Sequence, residues 1–290
     1  MHDILNNVPE HTIKCLDKGF VRIVDTMPRL VENDKTTGDS AVVQMARTSY
    51  GNGTKTINED KGLIRYLLRH AHTSPFEAVE FKFHVKMPIF VARQWVRHRT
   101  ANLNEISGRY SILKDEFYIP EKNEVRKQSA TNKQGGDEII DEKLGEDFSN
   151  HVKNLSESTY TEYERYIEGD ISKEQARMAL PINLYTEMYW KCDLHNLLHF
   201  LALRCDAHSQ LEIRVFADAM LKLITPIVPF SVEAWNDYHP MRGAVKLTRL
   251  EMDSLRKYFN KESTNLNVDT TNKRELKEWE DKLVAIGLKI

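Results

Sequence analysis

Residues 93–110 read R-Q-W-V-R-H-R-T-A-N-L-N-E-I-S-G-R-Y and carry four arginines, one histidine and a single acid, Glu105. The spacing predicts a helix over 89–99, which would put Arg93 and Arg97 four apart on one face. Like charges so placed repel unless an anion or a carboxylate lies between them. A guanidinium fork matches phosphate oxygens bidentately, so phosphate binding is the chemistry this cluster could do. The plain alternative is a solvated basic face balanced by acids from elsewhere in the chain. The segment after the helix counts against that alternative. Asn104, Glu105, Ser107, Gly108 and Arg109 are polar or small and come directly after an apolar segment. Gly108 lets a ligand approach the backbone closely, and Glu105 can accept a ribose hydroxyl.

Other constellations are weaker. His70 and His72 form HxH, and His195 and His199 stand four apart. Zinc sites use such spacings, but HNLLH lacks the glutamate of HExxH, and packing or exposure explains each histidine equally well. GNGTKT (51–56) does not fit the phosphate-loop pattern and reads as a glycine turn. Trp95 and Tyr110 beside the arginines could stack on bases. Against a nucleic-acid module stand a formal net charge of -2 and the lack of a broad basic stripe. Three cysteines, Cys15, Cys192 and Cys205, are too few and too odd for a disulfide framework. No signal peptide or membrane span is visible, so the expectation is a cytoplasmic protein without membrane or nucleic-acid partners.

The elements that must position these residues can be read from periodicity. Residues 19–25 alternate as a strand. Asp39 and Ser40 can cap a helix to about Ser49, and 60–71 has helical spacing. Along 78–86, Val79, Phe81, Phe83 and Val85 share one strand face, with His84 on the exposed side. Residues 100–111 read as an ordered loop and 121–143 as a charged surface insertion. A polar helix is expected over about 144–168, ending near Gly169, and a short one over 172–180 before Pro181. Residues 183–190 are ambiguous. Asp193 can cap a helix over 194–204, and another spans about 208–224 before Pro226 and Pro229. Strands and helices mix without a strict βαβ rhythm, which implies α/β or α+β. The division expected is one catalytic domain, 1–236, and a charged C-terminal appendage, 237–290.

Arg97-His98-Arg99, seven further residues and Ser107 resemble the RHR-x7-S signature of the flavin-dependent thymidylate synthases. The longer form, RHR-T-x-x-x-NE-x-S-x-RY, is similar throughout 97–110. Residues 70–95, 176–190 and 194–214 also resemble that family, and in all the likeness covers roughly 17–120 and 145–236. Departures are Asn102, where many members carry serine, and Asp193, where asparagine is common.

The resemblance implies a central twisted mixed sheet flanked by helices and a homotetramer with shared sites. It implies reductive methylation of dUMP, with FAD as cofactor and with NADPH and methylenetetrahydrofolate as co-substrates. His72, Ser74, Arg97, His98, Arg99, Glu105, Asp193, Leu194, His195 and His199 match flavin-binding positions. Gln94, Trp95, Val96, Arg97, Glu105, Ile106, Ser107, Gly108, Arg109, Arg177 and Arg204 match dUMP-binding positions. Arg204 matches the residue that activates the uracil ring, a role a permanently charged fork suits. Ser107 has no base close in sequence, so it reads as a dUMP ligand rather than a nucleophile. None of the three cysteines sits in the Pro-Cys context of the cysteine-dependent enzymes, and Cys205 reads as buried packing. By default Trp95 belongs to the core.

Overall fold

The structure, a computed structural model, describes residues 11–29, 38–50, 57–129, 135–239 and 243–288. Residues 51–56, and with them the GNGTKT turn, lie outside the described residues. The chain divides into two compact units, Met1–Trp235 and Asn236–Ile290.

The first unit is built on a five-stranded sheet in the order β1-β2-β3-β7-β4. Its strands are β1 (Thr12–Cys15), β2 (Gly19–Met27), β3 (Glu80–Pro88), β4 (Asn102–Glu105) and β7 (Tyr185–Asp193), and every pairing among them is antiparallel. The expected mixed sheet is therefore corrected. Alternation reveals a strand but not its direction, which is set by how the chain returns to the sheet. β5 (Arg126–Gln128) and β6 (Gly136–Ile139) form a separate exposed hairpin within the charged insertion.

The alternating residues of β3 do what their period demands. Phe81, Phe83, Val85 and Met87 are fully buried, and the register Phe83↔Trp190 and Val85↔Met188 aligns them with the buried side of β7. Onto this face pack α3 (Ile89–Trp95), α6 (Leu194–Arg204) and α7 (Leu211–Ile224), through Trp95, Phe200, Phe216 and Met220. Each such side chain contributes roughly 1.5–3 kcal/mol by leaving water.

The other face of the sheet is polar, as one face of an antiparallel sheet can be. His84 is not simply exposed there. Its Nε2 lies 3.1 Å from Glu187, its Nδ1 3.5 Å from Arg22, and its ring stacks on Tyr189 at 4.7 Å. Its neighbours across the register supply what the residue's own strand does not.

Helices α1 (Gly38–Arg47) and α2 (Ile57–Arg69) precede β3. Asp39 does not cap its own helix. Its carboxylate accepts from the amides of Phe230 and Ser231 and from the Ser231 hydroxyl, at 2.7, 3.1 and 2.6 Å. It thus caps α8 (Pro229–Tyr238), an element far away in sequence, by the chemistry of a local N-cap.

Helix α4 (Glu142–Glu168) starts where the Asp141 carboxylate accepts from the amides of Lys143 and Leu144, and is followed by Gly169. Its buried Tyr160 and Tyr163 pack with Phe117 and Leu184. α5 (Lys173–Ala176) and a 3-10 turn (Arg177–Ala179) come next.

The second unit holds α9 (Arg249–Phe259) and α10 (Lys273–Ala285) around Leu255, Trp279 and Leu283. A capping box at Thr248 and Glu251 starts α9, and Glu251 also pairs with Lys282 at 2.8 Å.

Asp39→Ala leaves two amides without acceptors, and should cost about 2 kcal/mol. Urea unfolding checks this. Asp39→Asn, which keeps one acceptor oxygen, should recover part of the loss.

Candidate active site

Helix α3 is shorter than its spacing predicts. It ends at Trp95, with Val96 as its C-cap, and the chain then turns at Arg97. Arg93 and Arg97 therefore do not share a helical face. The turn sends Arg97, His98 and Arg99 toward β4, which the sequence reads as loop. β4 forms because its backbone pairs with β7, Asn102↔Lys191 through Glu105↔Met188, although all four of its side chains are exposed. A strand held by its ladder alone leaves no apolar alternation to detect.

The charge balance bears on the two readings of the arginine cluster. Arg93, Arg97, Arg99 and Arg177 are exposed and Arg204 is half-buried. Among the described residues the ion pairs include none made by these five. The described residues do not supply the acids that would make a self-neutralised basic face. Only Arg109 is paired, with Glu174 at 3.3 Å across two exposed side chains, an interaction worth little by itself.

His98 is held in an aromatic pocket. Its ring lies 5.7 Å from His199, 6.0 Å from Trp190 and 5.7 Å from Phe200. Burial lowers its pKa, with nearby His199 and Arg204 adding to the effect and Asp193 opposing it. His98 Nε2, Trp190 Nε1, Trp95 Nε1 and Arg204 Nε are buried without hydrogen-bond partners among the described residues. Buried polar atoms are normally paired, so four such atoms around one aromatic cluster mark a place where polar partners are due. Arg204 is anchored by Nη2 donating to the carbonyl of Gln94 at 3.1 Å. Burial lowers its pKa too, but a guanidinium keeps its charge.

Beyond β4 the chain makes a tight turn. Ser107 O accepts from the amides of Tyr110 and Ser111, and Ser107 Oγ accepts from the Arg109 amide at 3.3 Å. Neither a carboxylate nor an imidazole bonds to that hydroxyl among the described residues. A side chain at Gly108 would meet Leu113 at 3.0 Å and Arg177 at 3.1 Å. Its close approach is thus to these two residues, which tie the turn to the Arg177 segment. Tyr160 donates to Leu113 O and Tyr163 accepts from Leu113 N, clamping the same loop from α4. Glu105 accepts from the buried Thr186 hydroxyl at 2.6 Å.

The remaining candidates divide. Asp193 accepts from the amide and side chain of Asn196 at 2.9 and 2.8 Å, so the acid spends its charge on the start of α6. Ser74 lies exposed on a 3-10 turn (Ser74–Ala78), joined to α6 through the Leu194 amide and the carbonyl of Val79. His72 is exposed, edge-on to Tyr66 at 5.8 Å. His195 is half-buried and His199 exposed, Ile106 is exposed, and Val96 is half-buried. Trp95 and Leu194 are fully buried in the core. Gln94 bonds to Gln210.

Burial pushes the Cys15 thiol up to about 12 and Cys192 well above the usual range, so neither is a ready nucleophile. Cys205 is half-exposed, not buried, because it is the C-cap of α6 rather than part of the helix's buried face. Among the described residues no cluster of three or more His, Cys, Asp or Glu could hold a metal ion.

Thr186, Glu174, Gln210 and Trp190 also brace this neighbourhood, and the sequence gives no sign of it. The first three meet their partners across 65 to 116 positions and Trp190 by ring contact, and no local pattern signals such a meeting.

A family model described as "Thymidylate synthase complementing protein" matches residues 29–230. A flavin-dependent thymidylate synthase of Dictyostelium discoideum is 51% identical over 281 residues, covering 97% of this chain and 89% of that one. The chain belongs to the flavin-dependent thymidylate synthase family.

A flavin-dependent thymidylate synthase of Thermus thermophilus is 52% identical, with 84% of this chain and 85% of that one covered. A UMP/dUMP methylase from Streptomyces cacaoi, solved bound with 5-Br dUMP, superposes with a TM-score of 0.68 at 29% identity, covering 78% of this chain and 98% of that one. The antiparallel sheet and its helices are thus a form this chain shares with a solved methylase.

A folded-state pKa lowered at His98 gives a pH signature. The stability it confers is present above the unfolded value of 6.5 and is lost as pH falls below it, because the unfolded chain then binds a proton that the folded chain resists. Tm measured from pH 8 down to pH 5 should decline, and His98→Gln should flatten that decline. An equal decline in the variant would place the effect elsewhere.

Proposed function

We propose that this chain makes dTMP by reductive methylation of dUMP, with methylenetetrahydrofolate as one-carbon donor, NADPH as reductant and FAD as the flavin. The observation that carries the reading is the set of arginines that form no ion pair among the described residues, set beside buried polar atoms that lack partners among them.

The residues present fit FAD. The exposed Arg97 and Arg99 offer forks to a diphosphate, His98 and His199 flank an aromatic pocket, and His98 Nε2 lacks a partner. Ser74, Asp193, His195 and Glu105 complete that group, and His72 lies on the adjacent turn. When bound, FAD supplies the hydride chemistry that no side chain here can.

The protein's own part is to bind, orient and polarise. Arg109 and Arg177 hold the dUMP phosphate beside the amides of Ser107 and Gly108. Gln94, Val96 and Ile106 border that substrate. Arg204 directs its charge at the uracil carbonyl and N3, stabilising the ring as an anion so that carbon 5 becomes nucleophilic. Ser107 donates a hydrogen bond to dUMP and forms no covalent bond, because among the described residues no carboxylate or imidazole is bonded to its Oγ to take its proton.

His98 precedes β4 in the chain and Ser107 follows it. Four strand residues span about 13 Å, so one chain presents His98 and Ser107 to different places. That separation supports sites shared between copies in a homotetramer. The cytoplasm is the compartment this reading assigns, without nucleic acid as a partner. No helix of the described residues is long and apolar enough to cross a membrane. Residues 1–236 are the catalytic domain in this reading and 237–290 an appendage.

The protein should form dTMP from dUMP only when methylenetetrahydrofolate, NADPH and FAD are all supplied. Product formed without flavin, or none with flavin bound, would defeat the reading. Arg204→Ala should lower kcat by ~10²–10³ with dUMP still bound. Ser107→Ala should keep measurable turnover, and its complete loss with FAD and dUMP binding intact would make Ser107 the nucleophile.

A further inference from the structure

The β5–β6 hairpin does more than decorate the surface. Together with residues 207–214 it borders an open cleft of about 450 Å³, a volume within the range of small-molecule sites. None of the residues assigned to dUMP or FAD lines it.

Two arginines from different elements line this cleft, Arg126 on β5 and Arg214 on α7. Each makes a single hydrogen bond to a main-chain carbonyl, Arg126 Nη1 to Asp137 at 3.0 Å and Arg214 Nη1 to Ala207 at 2.7 Å. Neither forms an ion pair among the described residues. Among the described residues most N–H groups of both forks are uncommitted. Lys127, also on the wall, pairs with Glu138 at 3.1 Å where both side chains are largely exposed, a pair that a stronger anion could displace.

Three acids also stand on the wall, Glu124, Glu212 and Asp137, and the first two share the single proton of one tyrosine hydroxyl. Glu124 and Glu212 both approach the Tyr118 hydroxyl at 3.5 Å, and Glu124 also accepts from the amide of Glu121. Asp137 is the remaining carboxylate. The floor is the start of α7, whose N-cap residue, Gln210, gives no side-chain cap. Gln210 instead bonds to Gln94, whose carbonyl holds Arg204. One short chain of contacts therefore runs from the cleft to the residue assigned to uracil activation.

We propose that this cleft binds the phosphate end of a nucleotide, held by Arg126 and Arg214. Two sources share that chemistry: the nicotinamide dinucleotide phosphate that serves as reductant in the proposed dTMP synthesis, and a free nucleoside triphosphate acting as an effector. Naming the reductant rests on that function, whereas the phosphate site does not.

Isothermal titration of the flavin-loaded, full-length protein with NADP⁺, which cannot donate hydride, and separately with dTTP tests this. Arg126→Ala should raise the dissociation constant of one of them about tenfold or more, with Arg126→Lys restoring part of the affinity. Arg126 lies on an exposed hairpin, so this variant keeps the proposal testable if Arg214→Ala fails to fold. Flavin content and Tm identify intact protein. A loss confined to NADP⁺ assigns the cleft to the reductant, and a loss confined to dTTP assigns it to an effector. Unchanged affinity for both in flavin-loaded Arg126→Ala, or no binding of either by the unaltered protein, overturns the proposal. Failure of the proposed dTMP synthesis would show separately, as absent product with nucleotide binding intact.

Discussion

β7 lies between β3 and β4, and its pairing with β3 runs unbroken through nine residues, from Glu80↔Asp193 to Pro88↔Tyr185. Nearly everything chemical hangs from its two ends. At one end Asp193 turns straight into α6, which starts beside the turn carrying Ser74 and bears His195, His199 and Arg204 along its length. At the other, Pro88 opens α3, whose end delivers Gln94 and the Arg97–Arg99 segment. β4 then docks on the free side of β7 and carries Glu105 to Thr186. A slip of one residue between β3 and β7 would turn Phe83 and Trp190 out of the core and lose both ends together.

Within that frame the site is electrostatically incomplete. Natural interiors pair their charges and satisfy their polar groups, yet among the described residues Arg93, Arg97, Arg99, Arg177 and Arg204 form no ion pair, and His98 Nε2, Trp190 Nε1 and Arg204 Nε lack hydrogen-bond partners. Local stability would favour carboxylates and carbonyls supplied from within the chain. Donors left uncommitted set up a field for an anion before it arrives, the arrangement in which electrostatic stabilisation costs no reorganisation during reaction.

Much of this was legible in the sequence. Phe81, Phe83 and Val85 announced their strand, and Asp193 announced the helix it caps, because period and capping are local. β4 was missed because an exposed edge strand depends on its partner's backbone and carries no alternation of its own. Asp39 was misplaced for a related reason: a carboxylate near one helix start can serve another that only the fold brings near. The end of α3 was set too late because Val96 and Arg97 continue the composition of a helix that the turn toward β4 interrupts. The RHR-x7-S motif pointed to the flavin-dependent thymidylate synthases, the family to which the chain belongs. The residues that brace the cluster, Thr186, Glu174 and Gln210, are ordinary in composition, and distance in sequence hides their role.

The most direct test of the account is the absorbance spectrum of the purified protein followed through anaerobic titration with NADPH, with and without dUMP. The account predicts flavin bands that bleach faster when dUMP is present, since the flavin and dUMP positions are to be completed together. Bands indifferent to dUMP, or none even after FAD is added, would contradict it.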